Sequence, residues 1–327
     1  MKFLSLLQSA IVYGTILLYG AMGEILTEKS GNLNLGVPGI MSLGALGGFV
    51  TSRAYEVLYC GAAGTDPIPL VCILVALLGA LLFAGLGGLI YAFITITLRA
   101  NQNVTGLTLT IFGCGFANFF GSNILQKHGG VGSLSLAETS RAFRAVLPGL
   151  ESVKVLSALG FLVYFSLILA FAMQWFLNKT RAGLNLRAVG ENPATADAAG
   201  IHVMRNKYLA TCIGAAISGL GGLYYFVDYA KAAWTTDGTL EALGWLAVAL
   251  VIFATWKPVR TIWASYLFGA LSWLYFYIGG LNRSSQEIFK MLPYAVTIVV
   301  LVFVSLRRSK ESQPPASLGL SYFREDR

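Results

Sequence analysis

The chain has 327 residues, is 56% hydrophobic and only 12% charged, about half the charge of an ordinary soluble domain. With a mean hydropathy of +0.69, these figures exclude a soluble globular domain and point to a polytopic membrane protein, because uncharged runs of bilayer length recur along the sequence. The net charge of +8 would suggest nucleic acid in a soluble protein; in a membrane protein Lys and Arg collect in cytoplasmic loops, and no nucleic-acid partner is expected.

Residues 3–23 are uncharged and predict a first membrane helix, retained rather than cleaved as a signal peptide because more membrane sequence follows. Residues 24–29 are polar. Residues 30–52 are uncharged but carry Gly31, Gly36, Pro38, Gly39, Gly44, Gly47 and Gly48, with Asn32 and Asn34 at the start. Two readings stay open there: a discontinuous or re-entrant helix, whose broken backbone needs protein or a cavity to satisfy it, or close helix packing through small residues. Residues 53–66 read as a loop, and 67–98 as a glycine-dotted span closed by Arg99. Residues 100–126 open with Asn101, Gln102 and Asn103, a polar entry to a helix from about Thr105 to Phe120. Residues 127–154 form the longest loop. Spans are predicted over 155–178, 208–227, 240–256, 261–281 and 291–306, and the polar tail after Arg307, with Pro314 and Pro315, is expected to be disordered.

The fold expected is therefore all-α, with about nine or ten membrane segments, some discontinuous. Residues 3–121 and 155–306 hold four or five segments each, as in transporters built from two repeats, although no residue-level repetition accompanies the division. Placing the basic run 179–207 in the cytoplasm puts 257–260 and 307–310 inside and 127–154 outside. The N-terminus is outside if residues 30–52 cross once, and inside if they dip and return. Trp234, Trp256 and Trp263 are expected at the membrane interface.

Cys60, Cys72, Cys114 and Cys212 lack metal-site spacing and read as packing residues. His128 and His202 lie in loops far apart, and neither is assigned a metal or catalytic role. The sequence has no phosphate-binding loop, dinucleotide fingerprint, nucleophile elbow or zinc signature. No catalytic residue, metal or cofactor is expected in the chain. Glu24 and Glu241 sit near span ends, leaving the spans nearly free of the ionisable residues that ion-driven carriers use. Any energy for transport is thus expected from a partner.

The polar run 179–207 contains one more signal. Asn192 and Pro193 make a helix start, Asn192 as cap and Pro193 in the first turn, residues 194–199 are small and helix-forming, and Gly200 supplies a left-handed stop. A two-turn helix is marginal alone and should dock on a partner, with Arg187, Glu191 and Asp197 free to pair with charges there.

The segment RAVGENPATADAAGI (187–201) resembles the coupling-loop signature of permease subunits in the ABC importer family for branched-chain amino acids, simple sugars and nucleosides. TEKSGNLNLGVPGIMSLGALGGF (27–49), TLRANQNVTGLTLT (97–110) and GWLAVALVIFATWKP (244–258) resemble three further signatures, so the likeness runs from about 27 to 304 and is closest to the shorter nucleoside permease. The resemblance implies a permease domain over 1–310, with coupling loop 179–207, and a polar tail over 311–327. It implies a multi-pass protein of the bacterial plasma membrane, in contact with membrane lipid. The implied partners are a second homologous permease, cytoplasmic ATPase subunits that bind ATP, and an extracellular substrate-binding lipoprotein. Arg187, Gly190, Glu191, Asn192, Pro193, Asp197 and Gly200 would carry the ATPase coupling. Asn32, Asn34, Asn101, Asn103 and Asn118, with Phe116 and Trp245 as stacking surfaces, are the candidate path for a nucleoside, which needs hydrogen bonds beside an apolar wall. A simple-sugar or branched-chain amino acid permease is the alternative within the family, and a lone secondary carrier the alternative outside it. Two departures stand out: Pro38 replaces an acidic residue common between two glycines, and Ala194-Thr195 stands where a basic residue is frequent.

Overall fold

The computed structural model describes residues 2–127, 136–144, 159–278, 282–307 and 313–323. Among them all regular structure is helical, and five helices are long and apolar enough to cross a membrane. His128, Pro148 and the start of the span predicted from Val155 lie outside the described residues.

Helix α1 (Lys2–Glu28) runs past the predicted end at Gly23 and stops where Gly31, at φ +86°, turns the chain. An extended stretch follows before α2 (Val37–Arg53), which has Pro38 in its first turn. The loop expected over 53–66 is largely helical instead. No Gly or Pro interrupts residues 54–60, so α2 continues as a π-helical turn (Ala54–Cys60) and the single turn α3 (Gly61–Ala63), ending at Gly64 with φ +64°. Next come α4 (Pro69–Ala92), its π-helical extension (Phe93–Thr97), α5 (Gln102–Lys127), α6 (Ala137–Phe143) and α7 (Phe161–Lys179). The polar run then forms α8 (Arg181–Glu191) and α9 (Pro193–Ala198). Helix α10 (Val203–Tyr224), extended by a π turn (Tyr225–Tyr229), leads to α11 (Thr239–Phe253), α12 (Pro258–Tyr277), α13 (Arg283–Lys290) and α14 (Leu292–Arg307).

The centre is α1 packed along α10, with α12 on the far side of α1, α4 beside α10, and α2 wedged against α4, α5 and α10. Glycines set these distances. A Cβ on Gly44 would overlap the Gly219 backbone, one on Gly39 the Leu109 carbonyl, and one on Gly222 the Met41 carbonyl oxygen. The region 30–52 therefore follows both readings at once: broken before Val37 and closely packed through small residues after it.

The Lys29–Gly31 turn lies against Gly190 of α8, while Ser9 hydrogen-bonds Tyr277 at the opposite end of α1. Helix α2 runs back from the α8–α9 end, so that Phe49 meets Trp234 beyond α10 at the opposite end. Residues 30–52 thus pass once between the two ends rather than dipping and returning.

Two expectations are corrected. Trp234 and Trp256 are core residues, 6% and 5% exposed; the first stacks on Phe49 at 5.2 Å and the second hydrogen-bonds Glu28. Trp263, 78% exposed, is the one of the three on the outside. The tail is not uniformly loose: residues 313–323 fold onto the α8–α9 end. Ser317 donates its N–H to the Gly190 carbonyl (3.0 Å) and Gly319 to the Gly31 carbonyl (3.2 Å), with Pro315 and Ser317 buried. A polar sequence stays ordered here because the carbonyls left open by the break at Gly31 and by the end of α8 at Gly190 need donors.

Overpacking a close crossing costs about 1–3 kcal/mol or more. Gly222→Ala is expected to lower stability by at least that much in detergent thermal unfolding. Gly85→Ala, with open space around a Cβ, should stay within about 0.5 kcal/mol of the parent.

Candidate functional site

Helices α8 and α9 are each capped from the sequence. The Thr180 hydroxyl accepts the Gly183 N–H (3.1 Å), Asn192 Oδ1 accepts the Thr195 N–H (3.0 Å), and Gly200 closes α9 at φ +83°. Gly190 is buried, with no room for a Cβ beside the Lys29 carbonyl. Burial, with Arg187 nearby, holds the Lys29 ammonium below its ordinary value, against the opposing pull of Glu191 and Glu28. Arg187 donates to Asn178 Oδ1 (3.2 Å). Glu191 and Asp197 already have partners in this chain: Glu191 Oε2 accepts the Ala316 N–H (3.3 Å) and Asp197 Oδ2 accepts the Tyr322 hydroxyl (2.8 Å). The face of α9 left exposed is small, with Ala194, Thr195 and Ala198 on it.

Above this contact lies the broken segment 29–36, held by side chains from several helices. Glu24 Oε1 accepts the Asn34 N–H (3.0 Å), Asn34 Oδ1 accepts the Gly36 N–H (2.9 Å), and Gln102 Oε1 accepts the Leu33 N–H (2.7 Å). Asn32 Nδ2 donates to Thr211 Oγ1 (3.2 Å), the Tyr91 hydroxyl donates to the Leu33 carbonyl, and Trp256 Nε1 donates to Glu28. Backbone away from helical partners survives in hydrocarbon only when so satisfied. Glu24 and Glu28, one turn apart, are 0% and 3% exposed. Glu24 sits near a span end as expected, one turn before α1 stops at Glu28, but it is buried in the protein rather than facing water. Reading the spans as clean missed Glu28, whose signal was a Glu-x-x-x-Glu pair in an otherwise apolar helix. Asn32 and Asn34 are engaged in bracing the loop.

The other predicted path residues are spread out. Asn101 is exposed at the start of α5, capping it through Oδ1 to the Val104 N–H (3.1 Å), and Asn103 beside it is exposed. Phe116 pairs with Phe112 and Phe120 along α5, at 5.6 and 4.5 Å between ring centres. Trp245 is half-buried on α11. Asn118 lines a cleft at the end opposite α9, together with Ser42, Cys114, Tyr225, Trp234, Asp237 and Glu241. The cleft has about 30 Å³ of free space, far below the range of small-ligand sites, so it is too narrow for a nucleoside or sugar here. Tyr225 hydrogen-bonds Thr235 across it (3.0 Å). Sequence reasoning missed Tyr225, Trp234 and Asp237; the Asp237-Gly238 turn, with Gly238 at φ +75°, was the available sign. Among the described residues no group of three or more His, Cys, Asp or Glu is placed to hold a metal ion.

Residues 6–301 match the family described as the permease component of the branched-chain amino acid transport system. The chain belongs to that family. It is 32% identical to the putative glucose ABC transporter permease protein TsgC13 of Haloferax volcanii, with 98% of each chain covered. It is 30% identical to the guanosine ABC transporter permease protein NupQ of Bacillus subtilis (98% of this chain, 96% of the relative). The same identity relates it to the nucleoside ABC transporter permease protein NupC of Lactococcus lactis (96% and 95%). No solved structure matches. This is an ABC permease, with the apolar helices of a multi-pass membrane protein.

Trp256→Phe removes the donor to a buried carboxylate, and an unsatisfied buried acceptor costs about 1–3 kcal/mol. Thermal unfolding should show a loss of that size for Trp256→Phe and none for Trp263→Phe.

Proposed function

We propose that the chain is one permease subunit of an ATP-driven nucleoside importer, forming the path with a second, homologous permease. In this reading α8 and α9 face the cytoplasm, where ATPase subunits bind ATP; the N-terminus and the Asn118 cleft face outward, towards an extracellular binding lipoprotein. One pass by residues 30–52 then gives nine crossings (α1, α2, α4, α5, α7, α10, α11, α12 and α14), in a bacterial plasma membrane. The chain itself performs no covalent chemistry.

The observation that carries the reading is mechanical continuity. Helix α9 follows α8 through Asn192, Gly190 of α8 bears on the Lys29 carbonyl, and the segment behind it is tied to α4, α5 and α10 by Tyr91, Gln102 and Thr211. A push on α9 therefore reaches α2, whose Ser42 lines the closed outer cleft. Coupling of this kind needs an element with two arrangements, and in this reading the short loop, braced largely by side chains, is that element. The cleft combines Tyr225 and Trp234 with Asn118, Asp237 and Glu241. Aromatic faces suit a stacked base, and carboxylates accept hydrogen bonds from ribose hydroxyls. The sugar reading is favoured by the likeness to TsgC13 and shares the same polar groups, without need of a stacking face.

In proteoliposomes holding the whole complex, unlabelled nucleosides should compete with labelled nucleoside uptake and glucose should not. The reverse result would overturn the cargo and leave the permease assignment standing. Ala194→Trp, on the exposed face of α9, should cut ATP-driven uptake about tenfold, equal to about 1.4 kcal/mol of lost coupling, with insertion unchanged. Uptake at the parent level would remove α9 from the coupling path.

A further inference from the structure

A second cleft, about 450 Å³ in volume, opens at the α8–α9 end, within the range of small-ligand sites. It lies between Arg99 and Gln102 at the α4–α5 junction, the first turn of α10, and Ser321 and Tyr322 of the tail. Arg99, Arg205 and Lys207 line it, against one carboxylate, Asp197, which accepts the Tyr322 hydroxyl. Lys207 is 3% exposed, and among the described residues no hydrogen bond or ion pair reaches it. Its ammonium opens only to the cleft, and confining a charge there without a protein partner is costly. That cost is offset when an anion shares the site.

Two further features point the same way. His202 sits at the N-cap of α10 without a side-chain cap, and the first turn it opens lines the cleft through Val203, Met204 and Arg205, at the end of the helix where the dipole favours negative charge. Arg99 is held at φ +58°, a conformation a non-glycine residue keeps only when its surroundings enforce it; its guanidinium lies 4.5 Å over the Phe323 ring. The arrangement is a buried cation, two cations at the mouth and an open helix N-terminus around a volume larger than a bare ion.

We propose that this cleft binds a phosphate-bearing anion, with Lys207 as its buried ligand and Arg99 and the first turn of α10 completing the cradle. Three cations against one carboxylate leave more positive charge than a single carboxylate ligand would neutralise, which favours a phosphate group. The phosphate can come from a phospholipid headgroup, since the flanking Leu98 and Met204 are 60% and 50% exposed, or from a soluble phosphate compound. The placing of this cleft on the cytoplasmic face rests on the orientation proposed above. Binding does not, and it can be read in the isolated chain whatever the cargo.

The test is thermal unfolding of the full chain in uncharged detergent, titrated separately with inorganic phosphate and with dihexanoyl-phosphatidylglycerol, against sodium chloride at matched ionic strength. At least one phosphate probe should raise the midpoint saturably. A response to phosphate alone identifies a soluble ligand, and a response to the lipid alone a headgroup. Lys207→Gln should weaken the response about tenfold or more, as expected for a lost charge-assisted hydrogen bond, while Lys207→Arg keeps it. If Lys207→Gln fails to insert, Arg99→Gln takes its place with the same expectation. No shift beyond the salt control with either probe, or a shift undiminished in these variants, overturns the proposal.

Discussion

The backbone leaves its helical hydrogen bonds between Lys29 and Gly36 inside a tightly packed membrane protein, and the rest of the structure is arranged to satisfy it. Four helices contribute hydrogen bonds, through Glu24 of α1, Tyr91 of α4, Gln102 of α5 and Thr211 of α10, and the tail supplies the Gly319 N–H. Each unsatisfied group would cost several kcal/mol in hydrocarbon. That cost explains why so many polar side chains are buried at one level of a chain that is otherwise apolar. It also explains why a polar tail folds against the same spot.

Glycine supplies the complementary constraint. The crossings of α2 with α5 and α10 are too close for a Cβ at Gly39, Gly44 or Gly222, so these helices meet backbone to backbone. Packing of this kind is strong through many small contacts and shifts in discrete steps rather than bending continuously. A side-chain-braced loop joined to glycine-packed helices is thus a soft element attached to a stiff one. Movement at the α8–α9 end would be absorbed little in α2 and passed on to the Ser42 end.

How far the site could be read from sequence follows the range of each interaction. Helix existence was legible because hydropathy is local, and so were the caps at Asn192, Pro193 and Gly200, which depend on neighbours within four residues. The break after Glu28 showed in Gly31, Asn32, Asn34 and Gly36. The brace was not legible: Asn32 meets Thr211 and Trp256 meets Glu28, across 179 and 228 residues, and nothing local marks such partners. The tryptophans misled for the same reason. An indole N–H suits an interface belt and a buried carboxylate equally well, and only the fold brings Glu28 to Trp256.

The tail changes what the α8–α9 surface can offer a partner. Glu191 and Asp197 look from sequence like charges awaiting a groove, yet the Ala316 N–H and the Tyr322 hydroxyl occupy them. An exposed ion pair would in any case add at most about 1 kcal/mol to docking. What α9 leaves open is a patch of Ala194, Thr195 and Ala198, which favours recognition by shape, since small side chains allow a helix to seat deeply. The absence of a basic residue at Ala194-Thr195 fits that view: charge is placed instead in the neighbouring cleft, on Arg99, Arg205 and Lys207, where the tail forms part of the wall. The tail therefore touches both surfaces, forming one wall of the cleft and holding Asp197 of α9 through the Tyr322 hydroxyl.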